Sequence, residues 1–340
     1  MGKNDIASGK IILGHGSGGK LMHGLIKGLL LKKLDNPLLN ELADSAVINY
    51  KERIAFSTDS FVVSPLFFPG GDIGKLAVCG TINDLVMQGA DPEYLSLALI
   101  LEEGLEYRVL EKIVDSISAN SRKAGVRFVT GDLKVVEKGA CDRIFINTSG
   151  IGRVIADKRL SVKNIEPQDS IILTGPIAQH GLAVLARRKE LGLGFNIKSD
   201  CAALNSLLIP ILKKTNAIKF MRDPTRGGLA TTLNEAAQSS GRGIVIEERH
   251  IPVSGKAKAA CELLGIDPLF IANEGIAVMV VEKKGQERVL GLLRKHPLGK
   301  NARVIGKIVN EPKGRVILNT VLGTRRIVDM LTSEPLPRIC

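Results

Sequence analysis

Tryptophan is absent from these 340 residues and tyrosine occurs three times. No row of aromatic rings interleaved with Lys and Arg is therefore available to stack nucleic-acid bases. The net charge of +12 does not change that reading, because the basic residues are spread in pairs such as Lys32-Lys33 and Arg325-Arg326. A surface of this kind attracts polyphosphates or an acidic partner, and nucleic acid is not expected as the ligand. No apolar run approaches the ~18 to 20 residues of a membrane helix, so no membrane association is expected. The most apolar stretches, residues 95–101 and 276–281, have the length of buried strands. A basic-then-apolar leader is missing at the amino end, Ile6 breaks the myristoylation pattern, and Cys340 is not fourth from the end as prenylation requires. A cytoplasmic protein is the expectation. The five cysteines are far apart and form no C-x-x-C pair, which argues against a zinc site or a disulfide framework. Cys79 and Cys261 sit among apolar neighbours and read as small core residues, leaving Cys340 unexplained.

The 44% hydrophobic composition and the length predict two folded domains. Hydrophobic periodicity in the first half predicts strands at 10–13, 46–49, 53–57, 94–101, 127–130 and 143–154, with helices at 20–34, 74–88 and 107–123. The polar stretch 156–170, containing Pro167, reads as a linker. Beyond it, strands are expected at 171–173, 244–247, 276–281, 303–308 and 315–318, with helices at 182–188, 204–214, 228–239 and 255–264. The expected class is α/β, built from α+β layers, with domains at 1–155 and 156–332 and a tail at 333–340. Two prolines, Pro335 and Pro337, keep that tail out of helix and inner strand. A terminal thiol on such a segment is a candidate swinging arm.

Gly14-His15-Gly16-Ser17-Gly18-Gly19-Lys20 follows a predicted strand and opens a predicted helix, the setting in which backbone N–H groups attract phosphate. The P-loop pattern fails at Leu21, where a hydroxyl should hold the metal, so the loop reads as a flexible flap over a polyphosphate. Metal binding then falls to carboxylates elsewhere, because Mg2+ wants hard oxygen ligands. Asp44, Asp59, Asp84 and Asp223 each sit at the end of an element inside apolar or glycine-rich sequence. Singly, each reads as a cap or turn residue; together they are candidate ligands. Gly131-Asp132-Leu133-Lys134 is expected to end a strand and to set a cation beside a carboxylate, which suits charge stabilisation in phosphoryl transfer, a surface ion pair being the alternative. Glu274, ahead of a strongly apolar strand, is a candidate desolvated base, with His15 a possible assistant in proton transfer. The other four histidines show no clustering in sequence.

Residues 14–20, Phe67-Phe68-Pro69-Gly70-Gly71-Asp72, 79–84, 130–136, Met221-Arg222-Asp223-Pro224-Thr225-Arg226-Gly227-Gly228, 271–275 and the terminal Pro337-Arg338-Ile339-Cys340 together resemble the HypE family of hydrogenase maturation factors. The likeness runs over essentially the whole chain, and the Pro-Arg-Ile-Cys ending joined to Met-Arg-Asp-Pro-Thr-Arg-Gly-Gly is its most specific part. One departure is Leu133, where the family more often has Thr. The resemblance implies the two-domain, homodimeric ATP-binding fold shared with aminoimidazole ribonucleotide synthetase, selenophosphate synthetase and thiamine monophosphate kinase. It implies ATP and Mg2+ as cofactors. The nucleotide is assigned to Gly16, Ser17, Gly18, Gly19, Lys20, Asp132, Thr225 and Arg226, and the metal to Asp44, Asp59, Asp84 and Asp223. Cys340, Lys134, Glu274 and His15 become the catalytic group. By the same resemblance, Cys340 accepts a carbamoyl group from a HypF-type carbamoyltransferase. ATP then drives its dehydration to a thiocyanate, and the cyanide goes to iron on a HypC-HypD scaffold. Two other readings stay open on the sequence: a small-molecule phosphotransferase of the same fold, such as a selenophosphate synthetase or kinase, and a non-enzymatic carrier of the carbamoyl or cyano group.

Overall fold

A computed structural model describes residues 19–25, 27, 46–49, 53–155, 160–188, 196–331, 336 and 338–340. In the first half, a short helix α1 (Lys20–Leu25) is followed by strands β1 (Ala46–Asn49) and β2 (Arg53–Phe61), a two-strand ribbon β3 (Phe67–Phe68) and β4 (Gly71–Asp72), and helix α2 (Ile73–Met87). Strand β5 (Ala90–Glu102), helix α3 (Tyr107–Ala124), β6 (Arg127–Val136) and β7 (Ile144–Val154) complete it. The sheet runs β1-β2-β7-β5-β6 and is antiparallel except for the β5–β6 pair. The second half contains β8 (Ser170–Leu173), α4 (Gln179–Leu185), α5 (Asn205–Leu212), β9 (Ile218–Arg222), α6 (Gly228–Ser240), β10 (Gly243–Glu247) and α7 (Gly255–Leu264). After these come β11 (Val278–Val281), α8 (Gln286–Arg294), β12 (Arg303–Val309), β13 (Val316–Asn319) and β14 (Arg325–Val328). Its seven strands are ordered β14-β13-β10-β12-β8-β11-β9, with only β10–β13 parallel.

Helix α2 organises the molecule. Asp72 starts it, its Oδ1 accepting from the Gly74 and Lys75 N–H groups at 2.8 and 3.0 Å. Apolar and small residues surround α2 on every side, so it is buried almost throughout, as a helix without a polar face must be. Gly74 lets α3 approach: a Cβ there would lie 2.6 Å from the Ile113 carbonyl oxygen. Gly80 does the same toward β2, where a Cβ would lie 2.9 Å from the Phe61 ring. One continuous apolar core includes Ile73, Leu76 and Ile82 of α2, Ile146 of β7, Leu208 of α5, Met221 of β9 and Met279 of β11, and so belongs to both halves.

Several expectations need correction. Gly131 to Lys134 do not end a strand; β6 continues to Val136 because it is held in parallel register along β5, from Leu97↔Gly131 to Glu102↔Val136. The strand expected at 276–281 starts at Val278, and the helix expected at 182–188 occupies Gln179–Leu185. Strands β9 and β14 and helix α8 were not expected. Among the described residues of the presumed linker, Leu160 and Ile165 are buried and Val162–Asn164 form a 3-10 turn capped by Ser161, so that stretch is anchored to the fold. The strand expected at 10–13 and the end of the first helix lie outside the described residues.

Candidate functional site

The two halves meet around a group of carboxylates. Ser57 and Asp59 lie on β2 and face α2, because Asp59 pairs in register with Thr148, whose buried hydroxyl bonds Thr81 of that helix. The close approach at Gly80 brings Asp84 over β2, and the Ser57 hydroxyl donates to Asp84 Oδ2 at 2.7 Å. The second half contributes two loops. After β9 the chain runs through Asp223-Pro224-Thr225-Arg226 and turns into α6 at Gly227 and Gly228, both with positive φ (69° and 61°). At Gly228 a Cβ would lie 2.6 Å from the Ile271 carbonyl oxygen, so only glycine lets this loop seat against residues 269–271. The second loop carries Glu274 into β11. Buried Asn273 ties the loops together: its Nδ2 donates to Pro224 O at 3.0 Å and to Ile271 O at 2.8 Å, and its Oδ1 accepts from the Ala178 N–H at 2.7 Å.

Glu274 is 3% exposed. Burial pushes its carboxyl well above the usual range, and the charges of Asp223, Asp59 and Asp200 push in the same direction while Arg226 opposes them. Burial also raises Asp59, against the nearby Arg226 and the Ser60 N–H. Arg226 Nη2 stands 3.5 Å from Asp59 Oδ1. Its guanidinium is held charged above the usual arginine range, first by Cys340 and then, against burial, by Asp59, Glu274 and Asp84. The terminal cysteine is thus on the Arg226 side of the site. One carboxyl-terminal oxygen accepts from the Val62 N–H at 3.1 Å, and Ile339 and Leu336 are buried in the shared core.

The structure brings together Cys340, Glu274, Asp59, Asp84, Asp223 and Arg226, with half-buried Thr225 on the same loop as Arg226. It keeps others apart. Lys134 pairs with Asp132 at 2.7 Å, both exposed, and its register partner Ile100 lies on the outer face of the sheet, opposite the face that carries Asp59. Strand β6 is also three places from β2 in the sheet, about 14 Å. Lys20 pairs with Asp329 at 3.5 Å, and its N–H, next to buried Gly19, donates to Leu331 O at 2.8 Å. His15, Gly16, Ser17, Gly18 and Asp44 lie outside the described residues. Among the described residues, no three His, Cys, Asp or Glu side chains close round a point as a metal cage. Mg2+ asks for less than a cage: one or two carboxylates with substrate phosphates and water suffice. Crowded carboxyls at Asp59 and Glu274, raised by burial, with hard oxygen donors at Asp84 and Ser57 alongside, are a donor set that a divalent cation complements.

Three supporting residues escaped the sequence reading. Asn83 Oδ1 accepts from the Leu204 N–H at 2.8 Å and its Nδ2 donates to Ala202 O and Glu274 O at 3.1 and 3.3 Å, fixing the Glu274 loop to α2. Asp200 Oδ2 accepts from the N–H groups of Glu274 and Gly275 at 3.0 and 2.9 Å; burial, only partly offset by these bonds, pushes its carboxyl up to about 6. His180 is fully buried and lowered by burial to about 4, so it is neutral at physiological pH. The only sequence signal for it was a histidine in an otherwise apolar helix start, although it packs edge-on against Phe68 at 5.2 Å.

Residues 42–154 match the family described as AIR synthase related protein, N-terminal domain, and residues 166–319 match AIR synthase related protein, C-terminal domain. Carbamoyl dehydratase HypE of Cupriavidus necator is 46% identical over 99% of this chain and 96% of its own length. Carbamoyl dehydratase HypE of Escherichia coli is 45% identical over 97% of this chain and 99% of its own. A crystal structure of a HypE-HypF complex superposes with a TM-score of 0.86 at 47% identity, covering 90% of this chain and 99% of that one. HypE in complex with ATP gives 0.82 at 44% identity, over 97% of this chain and 100% of that one. Thiamine monophosphate kinase from Aquifex aeolicus, at 20% identity and a TM-score of 0.65 over 89% of this chain and 97% of its own, shares the fold.

Proposed function

Because the chain belongs to the HypE family of carbamoyl dehydratases, we propose that it is an ATP-dependent enzyme of NiFe-hydrogenase maturation whose substrate is its own Cys340. A HypF-type carbamoyltransferase loads the thiol as an S-carboxamide, and the site dehydrates it to a thiocyanate. The observation that carries this reading is the tail itself, seated with Cys340 on the Arg226 side of the site.

The chemistry follows from the groups present. The amide oxygen of the loaded tail is a poor leaving group until it takes the γ-phosphoryl of ATP: an O–P bond forms, and the bond between the γ-phosphorus and its bridging oxygen breaks. Loss of one nitrogen proton accompanies that step. Cleavage of the C–O bond with loss of the second proton then releases phosphate and leaves the nitrile. Glu274, ionised once cationic charge enters the site, accepts the first proton, and the departing phosphate takes the second. Arg226 holds the tail terminus by charge and balances Asp59. Asp59, Asp84 and Asp223, together with Asp44, would hold Mg2+, which supplies neutralisation of phosphate charge. Residues 16–20 and 225–226 hold the nucleotide and His15 assists proton transfer, while Asp132, paired with Lys134, reaches the nucleotide of a second copy together with that lysine.

Lys134 joins this chemistry from a second copy. The outer face of the five-stranded sheet exposes Phe56, Ile100 and Ile151 (42, 40 and 38% exposed), an apolar surface that supports a homodimer closed through residues 1–155. In such a dimer Lys134 of one chain serves the tail of the other. Lys134→Ala and Cys340→Ala chains are each expected to yield no thiocyanate. Mixed by co-expression, they are expected to yield it on the Lys134→Ala chain, detected by intact mass; silence of the mixture would mean that Lys134 acts within its own chain, and full activity of Lys134→Ala alone would return it to a surface role.

The reading also includes a cytoplasmic enzyme with a second domain at 156–332. Its arm, 333–340, leaves the site to donate cyanide to iron on a HypC-HypD complex. Fully extended, that arm spans at most ~25 Å. The decisive experiment is intact-mass analysis. After loading by the carbamoyltransferase, addition of Mg-ATP is expected to remove one water mass from the chain, and from no Cys340→Ala control. Unchanged mass with ATP bound would favour a carrier, and full ATP-dependent activity in the Cys340→Ala chain would favour a small-molecule phosphotransferase.

A further inference from the structure

The groove that receives the tail contacts more of it than a tether needs. Residues 338–340 lie antiparallel to 62–64, with the Val62 and Ser64 N–H groups donating to Cys340 O and Arg338 O at 3.1 and 3.2 Å. This is strand addition, the mode in which main-chain bonds give affinity and side-chain pockets give selectivity. All three terminal carbonyl groups are satisfied from the groove. Arg188 Nη2 also donates to Arg338 O at 3.2 Å while its Nε donates to Ser64 O at 3.2 Å, so one guanidinium clamps both strands. Ile339 O lies 2.9 Å from His180 Nε2. A carbonyl only accepts, so Nε2 carries the proton, and Nδ1 accepts from the Ser199 hydroxyl at 2.8 Å. Ser199 Oγ in turn accepts from the Cys201 N–H at 3.0 Å, which fixes the tautomer of the ring.

Side-chain contacts add selectivity. Ile339 is 2% exposed in the shared core. Arg338 donates from Nε to Val62 O at 3.0 Å and from Nη1 to Asp142 Oδ2 at 2.6 Å, with its guanidinium 6.0 Å above the Phe145 ring. Its backbone has φ +54°, a conformation that a non-glycine residue keeps only where the surroundings over-determine it. Those surroundings are the five contacts just described.

We propose that this groove is a selective receptor for a carboxyl-terminal Arg-Ile-Cys segment, with Asp142 the specificity-determining residue for the arginine and His180 the positioning residue for the penultimate carbonyl. The inference takes from the proposed function only that Cys340 is the reacting group. Docking by sequence, rather than by tether alone, means that the thiol is presented to Arg226 in a fixed register, and that a tail with another residue at position 338 enters poorly.

The full-length chain without nucleotide gives the test. The rate at which iodoacetamide alkylates Cys340 reports how often the tail leaves the groove. Cyanogen bromide cleavage after Met330 releases the terminal ten residues for mass analysis, separating Cys340 from the half-buried Cys141. Asp142→Arg and Arg338→Asp are each expected to speed alkylation by roughly three- to tenfold, the range of a partly exposed charge-assisted contact. The exchanged pair in one chain is expected to react more slowly than either single variant. His180→Gln, which keeps a donor, should speed it less than His180→Ala, with thermal melting confirming that both are folded. Unchanged rates in the single variants, or an exchanged pair whose effects simply multiply, would overturn the receptor. Since neither ATP nor a carbamoyl group is involved, a protected tail that loses no water on Mg-ATP would defeat the enzyme reading and leave the receptor standing.

Discussion

Glu274→Gln is expected to lower thiocyanate formation by roughly 10²- to 10⁴-fold, the usual contribution of a positioned general base, and at the same time to make the protein more stable at alkaline pH. Both effects have one cause. Glu274 is sealed between the Asn273 and Asp200 anchors, and burial with three neighbouring acids raises its carboxyl well above the usual range. In the unfolded chain a glutamic acid ionises near ~4.3. The folded state therefore holds a proton that the unfolded state gives up. Stability from the neutral, buried carboxyl is complete below that unfolded value and is lost as pH rises through the higher folded one. Glutamine never ionises and keeps it at every pH. Melting temperatures of the two proteins should coincide in acid and diverge upward for the variant as pH rises, while the rate of the parent climbs over the same range. A variant that forms thiocyanate normally would clear Glu274 of base duty, and one that melts lower at alkaline pH would mean the carboxylate is charged in the resting fold.

The second large effect belongs to Asp84→Asn. Asp84 joins the helix common to both halves to β2 through the Ser57 hydroxyl, and a serine can donate or accept. Replacing one carboxylate oxygen by an amide nitrogen should cost the fold little, because Ser57 turns to accept. What is lost is an anionic oxygen where the phosphates and their cation are held. ATP hydrolysis is expected to fall by about 10³-fold, in line with removal of a group that stabilises phosphoryl-transfer charge, with cooperative melting retained. Raising the Mg2+ concentration should recover part of the loss. Undiminished hydrolysis would take Asp84 out of the metal site.

These two carboxylates were legible in the sequence because they interrupt apolar segments, where a charged residue needs a reason. The residues that support the site were not, because their partners are distant along the chain. Asn83 reaches Ala202 and Glu274 at separations of 119 and 191 residues, and Arg338 reaches Val62 across 276. No local pattern encodes such pairs. His180 was passed over for the same reason, being a lone histidine until the fold brings Ile339 and Ser199 to its two nitrogens. Strand β6 read too short because Gly131 and Asp132 are poor strand formers, and its length is set by the ladder along β5. Strand β9, only five residues with Lys219 and Arg222 among the apolar ones, gave too little alternation to be seen. Lys134 does stand beside the carboxylate of Asp132, as an exposed ion pair, but one strand string says nothing about which face of the sheet would carry it.

Helix α2 has a consequence for traffic through the molecule. Because it serves as an inner wall to both halves, prising them apart like a clamshell would strip hydrocarbon from each side at once. On the proposed function, substrate entry and product exit are consequently left to the few residues at the carboxyl end.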